Sequence, residues 1–214
     1  MCNLYSMTSN TQAIRELFQV DVGPALNLPA LDAIFPGQDA PVIRATSDGV
    51  RELITMHWGF VLQLQGKAAK DVTNARQDKV ASSPFWKQSF QERRCLIPAS
   101  SFAEPKGRRP AVWHWFALRG DVPRPLLAFA GIWRAWRGTY RGEQREMDTF
   151  AILTTTPNDL VATVHHSRMP VILSPDQFTE WLNGSPQDAL KMAIPYPSSR
   201  MQIVYQGDKH DPGL

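Results

Sequence analysis

The sequence predicts an α+β fold in which many short strands curl into one or two antiparallel sheets, with a few helices beside them. Three observations carry this reading. Short apolar runs recur between Gly, Pro, Asp and Arg turn signals. Helical spacing is confined to a few brief stretches. The 214 residues suffice for one large domain, which is the better prior than two very small ones.

The elements follow in order. Ile14, Leu17 and Phe18 form an apolar helical stripe between Asn10 and Val20, with Ser9 or Asn10 as its cap. Gly23 to Pro41 is Pro-rich and reads as an ordered loop. Pro41 to Thr46 and Val50 to Trp58 read as two strands joined by a hairpin turn at Ser47-Asp48-Gly49. Gln63 to Thr73 is polar and reads as loop. Ser83-Pro84 opens a second helix reaching towards Arg93, since proline is tolerated in a first helical turn. Strands are then expected at Cys95–Pro98, Ser101–Glu104, Val112–Leu118, Leu126–Trp133 and Asp148–Thr155, with Gly- and Arg-rich turns such as Gly138–Gly142 between them. Pro157–Val164 reads as a short helix, Pro170–Leu173 as a strand, Pro175–Leu182 as a helix and Arg200–Tyr205 as a last strand.

Composition narrows the function classes. Hydrophobic residues at 43% and charged residues at 20% are ordinary for a soluble globular domain. A net charge of +3 permits a nucleic-acid partner without requiring one. Arg93-Arg94, Arg108-Arg109 and the arginines from Arg134 to Arg145 suit phosphate through their planar forks, and equally form a solvated basic surface. The two cysteines, Cys2 and Cys95, form no disulfide framework. No signal peptide or membrane-length apolar run is visible, so a cytoplasmic location with free thiols is expected.

Cys2 carries distinctive chemistry. Removal of Met1 leaves a free α-amine beside the thiol. The reference pKa of such an amine, about 7.7–8.0, leaves an appreciable neutral fraction at neutral pH. That amine attacks an aldehyde to give an imine, and the sulfur then adds to the same carbon. Nitrogen, Cα, Cβ, sulfur and the former carbonyl carbon close a five-membered thiazolidine. An internal cysteine cannot do this, because its nitrogen lies in a peptide bond. Taken alone, a cysteine at position 2 is usually incidental. Cys95, within Arg94-Cys95-Leu96-Ile97-Pro98, reads as a buried small hydrophobe.

Four segments together resemble the SRAP family, the SOS-response-associated peptidase-like proteins that process abasic sites. They are Met1-Cys2-Asn3-Leu4-Tyr5; Thr73-Asn74-Ala75-Arg76 with Trp58-Gly59 upstream; Arg93 to Pro98 followed by Ser101-Phe102-Ala103-Glu104; and His166-Ser167-Arg168-Met169-Pro170 followed by Val171 to Pro175. Each is weak alone; all four in order, from residue 2 to about residue 182, are specific. The resemblance implies one SRAP-like domain over residues 1–214, with curled antiparallel or mixed sheets forming a barrel-like core and helices at its flanks. It implies that Cys2 forms a thiazolidine cross-link with the ring-opened sugar of an abasic site in single-stranded DNA. Asn74 then holds the N-terminal amine and the sugar, Glu104 shuttles protons, and His166 assists ring opening. Arg76 and Arg168 match arginines that contact DNA phosphates, and Thr154, which lines the site, and Trp58, of the DNA-facing segment, are grouped with them as DNA-binding residues. No cofactor, metal or membrane is implied, and a monomer is expected. The family name implies a peptidase activity, read here as removal of the protein's own first residue, and lyase-like chemistry accompanies it.

The roles make chemical sense. An abasic sugar is mostly a closed hemiacetal, so exposing its aldehyde needs acid or base help, which a carboxylate and an imidazole supply. Asn74 offers both a donor and an acceptor to orient an amine. Glu104 without this pattern is a strand-end carboxylate. His165 and His166 are adjacent and point different ways; the motif selects His166, and His165 reads as structural or surface. His57 and His114 read as packing residues in strands. Trp113, Trp115, Trp133 and Trp136 read as core before they read as base-stacking platforms.

Two departures from the family pattern stand out. Phe60-Val61-Leu62-Gln63-Leu64 follows Trp58-Gly59 where many members carry Pro and Trp that wedge against bases. Ala103 and Pro105 flank Glu104 in place of the usual aromatics. Other readings remain open. An N-terminal-nucleophile amidohydrolase acting through Cys2 requires an oxyanion hole, and glutamine hydrolysis discriminates it. A non-covalent single-stranded-DNA binder predicts salt-sensitive binding that denaturant abolishes. A zinc site has too few cysteines and no ligand spacing.

Overall fold

The computed structural model describes residues 2–24, 29–122 and 124–213. Met1, and residues 25–28 of the Gly23–Pro41 segment, lie outside them.

The chain opens with strand β1 (Tyr5–Met7) and helix α1 (Thr11–Phe18), capped as expected by Asn10, whose side-chain oxygen accepts from the Ala13 amide at 2.9 Å. The Gly23–Pro41 segment is not all loop. It contains β2 (Leu31–Ile34) and the start of β3 (Asp39–Ala45), a strand that tolerates Pro41. The hairpin turn then delivers β4 (Arg51–Trp58) as predicted. Next come the small hairpin β5 (Phe60–Leu62) and β6 (Lys70–Val72), then β7 (Asn74–Arg76), which polarity alone concealed. Helix α2 (Gln77–Val80) follows, and α3 (Lys87–Glu92) starts three residues after Pro84.

Strands β8 (Arg94–Ala99), β9 (Ser101–Lys106) and β10 (Val112–Leu118) lie where the apolar runs put them. The next two are longer than expected: β11 (Leu127–Tyr140) and β12 (Glu143–Thr155) form one ribbon whose polar distal half carries no apolar signal. Helix α4 (Asp159–Ala162), the short strands β13 (Met169–Pro170) and β14 (Ile172–Leu173), helices α5 (Phe178–Asn183) and α6 (Pro186–Met192), and β15 (Met201–Gly207) complete the chain.

The pairings close a ring. Strand β12 pairs with β4, β4 with β3, β3 with β8, β8 with β11, and β11 again with β12. This five-membered barrel is the expected barrel-like core. Val42, Ile43, Leu53, Leu96, Ile97, Phe129, Phe150 and Ile152 are wholly buried. Gly131 is dictated by this closure, since a Cβ there would lie 2.1 Å from Ile97 Cδ1 and 2.9 Å from the Cys95 sulfur. The buried reading of Cys95 is correct.

A second sheet, in the order β15-β10-β9-β1-β2, packs on the barrel. Tyr5 meets Trp58 and Phe129 edge-on at 5.0 and 5.7 Å, and Phe102 meets Phe129 at 6.0 Å. Strand β1 is also tied to the C-terminal segment. Buried Asp211 accepts from Ser101 Oγ at 2.5 Å and pairs with Arg124 at 2.7 Å, while Ser6 and Ser101 hydroxyls lie 2.6 Å apart. No helix among the described residues is long and apolar enough to cross a membrane.

Candidate active site

Four chain segments converge beside β1. Cys2 is fully buried, and its thiol points to the Leu4 carbonyl at 3.8 Å. Burial, and then the nearby Glu104 charge, push the thiol pKa far up, so the sulfur rests protonated.

Asn74 lies at the head of β7, where parallel pairing places it against Ile152 of β12. Its Nδ2 donates to the Cys2 carbonyl at 2.9 Å and to Thr73 Oγ1 at 2.9 Å, with Asn3 Oδ1 at 3.3 Å. Its Oδ1 is buried with no hydrogen-bond partner among the described residues. One amide oxygen is therefore held ready for a donor beside the start of the chain.

Trp58 helps place this segment. Its indole N–H donates to the Thr73 carbonyl at 3.2 Å, and its ring stacks on Phe150 at 6.2 Å. It has no exposed surface, so the expectation that Trp58 faces DNA is corrected. Apolar packing claims this ring, and its truncation would cost about 3–5 kcal/mol. Gly59 follows with φ +141°, and a Cβ there would lie 2.5 Å from Asp71 Cβ, so the Trp-Gly pair is a tight turn under β6.

Glu104 stands in β9, 1% exposed. Burial raises its pKa to about 7, against the opposing pull of the chain's amino terminus. At neutral pH it is divided between acid and base.

The imidazole facing Glu104 belongs to His165. Its Nε2 lies 3.9 Å from Glu104 Oε2, and its Nδ1–H donates to the Arg168 carbonyl at 3.0 Å. A carbonyl only accepts, so this bond puts the proton of the neutral ring on Nδ1 and leaves Nε2 towards the carboxyl. Burial and the amino-terminal charge lower the His165 pKa, which favours its neutral ring. His166, the residue the motif selects, is exposed. Backbone geometry after α4 turns the first imidazole of the pair inward. The dipeptide itself was the only sequence signal for it.

The predicted phosphate contacts cluster nearby. Arg76 is 55% exposed and forms a two-pronged pair with Asp78 at 3.0 and 2.7 Å. Arg168 is 12% exposed; it donates to Gln77 Oε1 at 2.7 Å, Thr154 Oγ1 at 3.3 Å and the Thr154 carbonyl. Thr154 is wholly buried, with its hydroxyl between Arg168 and the Ala75 carbonyl. It fixes Arg168 and offers no surface to DNA, which corrects its assignment as a DNA contact. Asn3 and Thr73, which share Asn74's amide, lie within the motif segments but were given no role of their own. They border a cleft of about 560 Å³ that runs on to Leu62 and Lys70 of the β5–β6 hairpin.

His57 and the tryptophans behave as packing groups with additions. His57 is buried between Asp71 at 3.0 Å and Asp39 at 3.6 Å. Trp115 is fully buried, whereas Trp113, Trp133 and Trp136 are half-buried.

A closed barrel carrying a second sheet, with a buried cysteine at position 2 near a buried carboxyl that an imidazole faces, defines a class of proteins. Solved structures share the fold. A protein of Bordetella bronchiseptica superposes with a TM-score of 0.76 at 23% identity, covering 96% of this chain and 98% of that one. A protein of Bacteroides thetaiotaomicron gives 0.71 at 22% identity, covering 94% and 90%. The chain belongs to the SOS response associated peptidase (SRAP) family, whose pattern matches residues 1–206. Among its relatives are the abasic site processing protein YoaM of Bacillus subtilis, 28% identical over 220 residues (96% of this chain, 90% of that protein). YoqW, an abasic site processing protein found in Bacillus subtilis and in Bacillus phage SPbeta, is 28% identical over 219 residues (96% and 92%).

Proposed function

We propose that this protein processes abasic sites by bonding Cys2 to the aldehyde of the damaged sugar in single-stranded DNA. The observation that carries this is the convergence of Cys2, Asn74, Glu104 and His165 on one buried spot. The relatives' name, abasic site processing protein, agrees with it.

The chemistry runs through groups already placed. Once Met1 is removed, Asn74 Oδ1 accepts from the freed amine and aims its lone pair. His165 and Glu104 exchange a proton with the sugar hemiacetal, opening it to the aldehyde. The amine adds to the carbonyl carbon, and neutral Glu104 protonates the departing oxygen, which leaves as water. The protonated imine left by that step keeps its own hydrogen on nitrogen and then takes the Cys2 sulfur, which bonds to carbon as the thiol gives its proton to Glu104. The ring closes with one water released overall. A buried thiol of raised pKa cannot ionise unaided, so the Glu104 carboxylate, by then unprotonated, serves as its proton acceptor. The arginines hold flanking phosphates without reading sequence. The cleft beside Asn3 and Asn74 gives a neighbouring nucleotide room. The reading extends to removal of Met1 by the protein itself, a lyase-like side reaction, a role in the DNA-damage response, and a monomer working in the cytoplasm.

The test is a denaturing gel of purified protein with a single strand bearing one abasic site, with an undamaged strand and Cys2→Ala as controls. A band that survives denaturant, needs the abasic site and disappears with Cys2→Ala supports the reading. Absence of that band from protein whose mass shows Met1 removed would falsify it.

A further inference from the structure

Arg76 and Arg168 converge on a single carboxylate. Asp78 takes both prongs of Arg76, at 3.0 and 2.7 Å, and lies 3.6 Å from Arg168 Nη1. A carboxylate accepting a guanidinium fork presents two oxygens in the geometry that a phosphodiester would present. The remaining donors of Arg168 are engaged by Gln77 and Thr154, so the end turned to Asp78 is the one left for an anion. The partners differ in mobility. Arg168 is 12% exposed and braced, while Arg76 is 55% and Asp78 39% exposed, an arrangement from which a solvent-facing carboxylate can be displaced. Such surface pairs contribute little stability, so exchange for another anion is inexpensive.

We infer that Asp78 is a built-in stand-in for a DNA phosphate, occupying the Arg76–Arg168 clamp and holding down attachment to undamaged single strand. This rests on the DNA reading above and deepens it by naming what sets selectivity. Two guanidiniums with one carboxylate leave a single net positive charge, too little to retain an ordinary strand strongly. An abasic strand is retained by the bond to Cys2 instead. The carboxylate thus shifts discrimination from charge to covalent capture. Removing it restores a second positive charge to the clamp, and non-specific affinity is dominated by such charges.

The test measures fluorescence anisotropy of a labelled undamaged oligonucleotide with wild-type protein, Asp78→Asn, Arg76→Ala and the Arg76→Ala/Asp78→Asn double variant. Asp78→Asn should bind about 3–10-fold more tightly at about 50 mM salt, the gain shrinking as salt rises. In the double variant most of the gain should vanish, because it acts through Arg76. Binding by Asp78→Asn that is unchanged or weaker overturns the inference and makes Asp78 a brace that orients the arginines. A gain of equal size in the Arg76→Ala background overturns it too, as a general charge effect. A wild-type protein that cross-links normally while Asp78→Asn shows no gain refutes the inference alone. No cross-link from wild type, with the Asp78→Asn gain intact, refutes the covalent reading alone.

Discussion

Asn74 Nδ2 donates to the Cys2 carbonyl at 2.9 Å, joining residues 72 positions apart in the chain. The bond fixes the backbone at Cys2, and the Oδ1 of the same Asn74 amide is buried without a hydrogen-bond partner among the described residues. Asn74→Ala should therefore slow cross-linking by about 10–100-fold through misplacement of the nucleophile. It should also lower stability by about 1–3 kcal/mol, since the Cys2 carbonyl loses its donor. Asn74→Asp should be at least as slow, because an acceptor then faces that carbonyl. Gel time courses and thermal melts check both; a normal rate for Asn74→Asp would sink the orienting role.

The two adjacent histidines should separate cleanly. His165→Ala removes the ring that faces Glu104 and should slow cross-linking by about 10²-fold or more, the usual scale of general acid–base help. His166→Ala, altering an exposed ring, should leave the rate within about twofold of wild type. The reverse ranking in single-turnover assays would return the role to His166.

Glu104 gives a stability test whose sign is opposite to that of most carboxylates. Its folded pKa, about 7, stands above the ordinary value of 4.5, so the folded state binds the proton more tightly than the unfolded state. Burial therefore imposes no penalty below pH 4.5, and the penalty grows as pH rises to 7 and stays in full above it. Glu104→Gln should stabilise the protein at pH 8 by up to about 3 kcal/mol and change little at pH 4.5. Cross-linking should meanwhile collapse. Melts of both proteins at the two pH values decide this; a variant destabilised at pH 8 would mean that the carboxylate is well satisfied in the fold.

His57 shows the complementary behaviour. Burial alone would pull its pKa down, but the hydrogen bonds and charges of Asp39 and Asp71 prevail and raise it to about 9. The stabilisation is full below pH 6.5 and is lost as pH rises through 9. Asp39 is 70% exposed, which screens its share, so His57→Gln should cost on the order of 1–2 kcal/mol at pH 6. The gap to wild type should narrow by pH 10. Urea titrations at the two pH values measure it, and a gap independent of pH would assign the loss to packing alone.

Much of this fold was legible because the signals were local. Asn10 announced α1, Ser47-Asp48-Gly49 announced a hairpin, and the apolar runs of β8 to β10 announced buried strands. What escaped depends on distant partners. The polar halves of β11 and β12 are strands only because each pairs with the other, and β7 is a strand only because β12 accepts it. The site divides the same way. Cys2, Asn74 and Glu104 were picked out by motif, and the fold brings Asn74 to Cys2, while their roles await the cross-linking assay. The choice between His165 and His166 was not legible, since it turns on which carbonyl Nδ1 finds. Trp58 and Thr154 were misjudged because sequence cannot show that a ring or a hydroxyl is already spent on the interior.

The placement of β1 within the second sheet has a consequence for biogenesis. Its partner β9 lies about a hundred residues downstream; Ser6 meets Ser101 across a separation of 95. While a ribosome is still making that intervening stretch, the thiol bound for the site has neither carboxyl nor imidazole beside it and no interior to enter. Shielding of that thiol thus waits for the segment that carries β9, and a prematurely terminated product would leave it open to oxidants and electrophiles in solution.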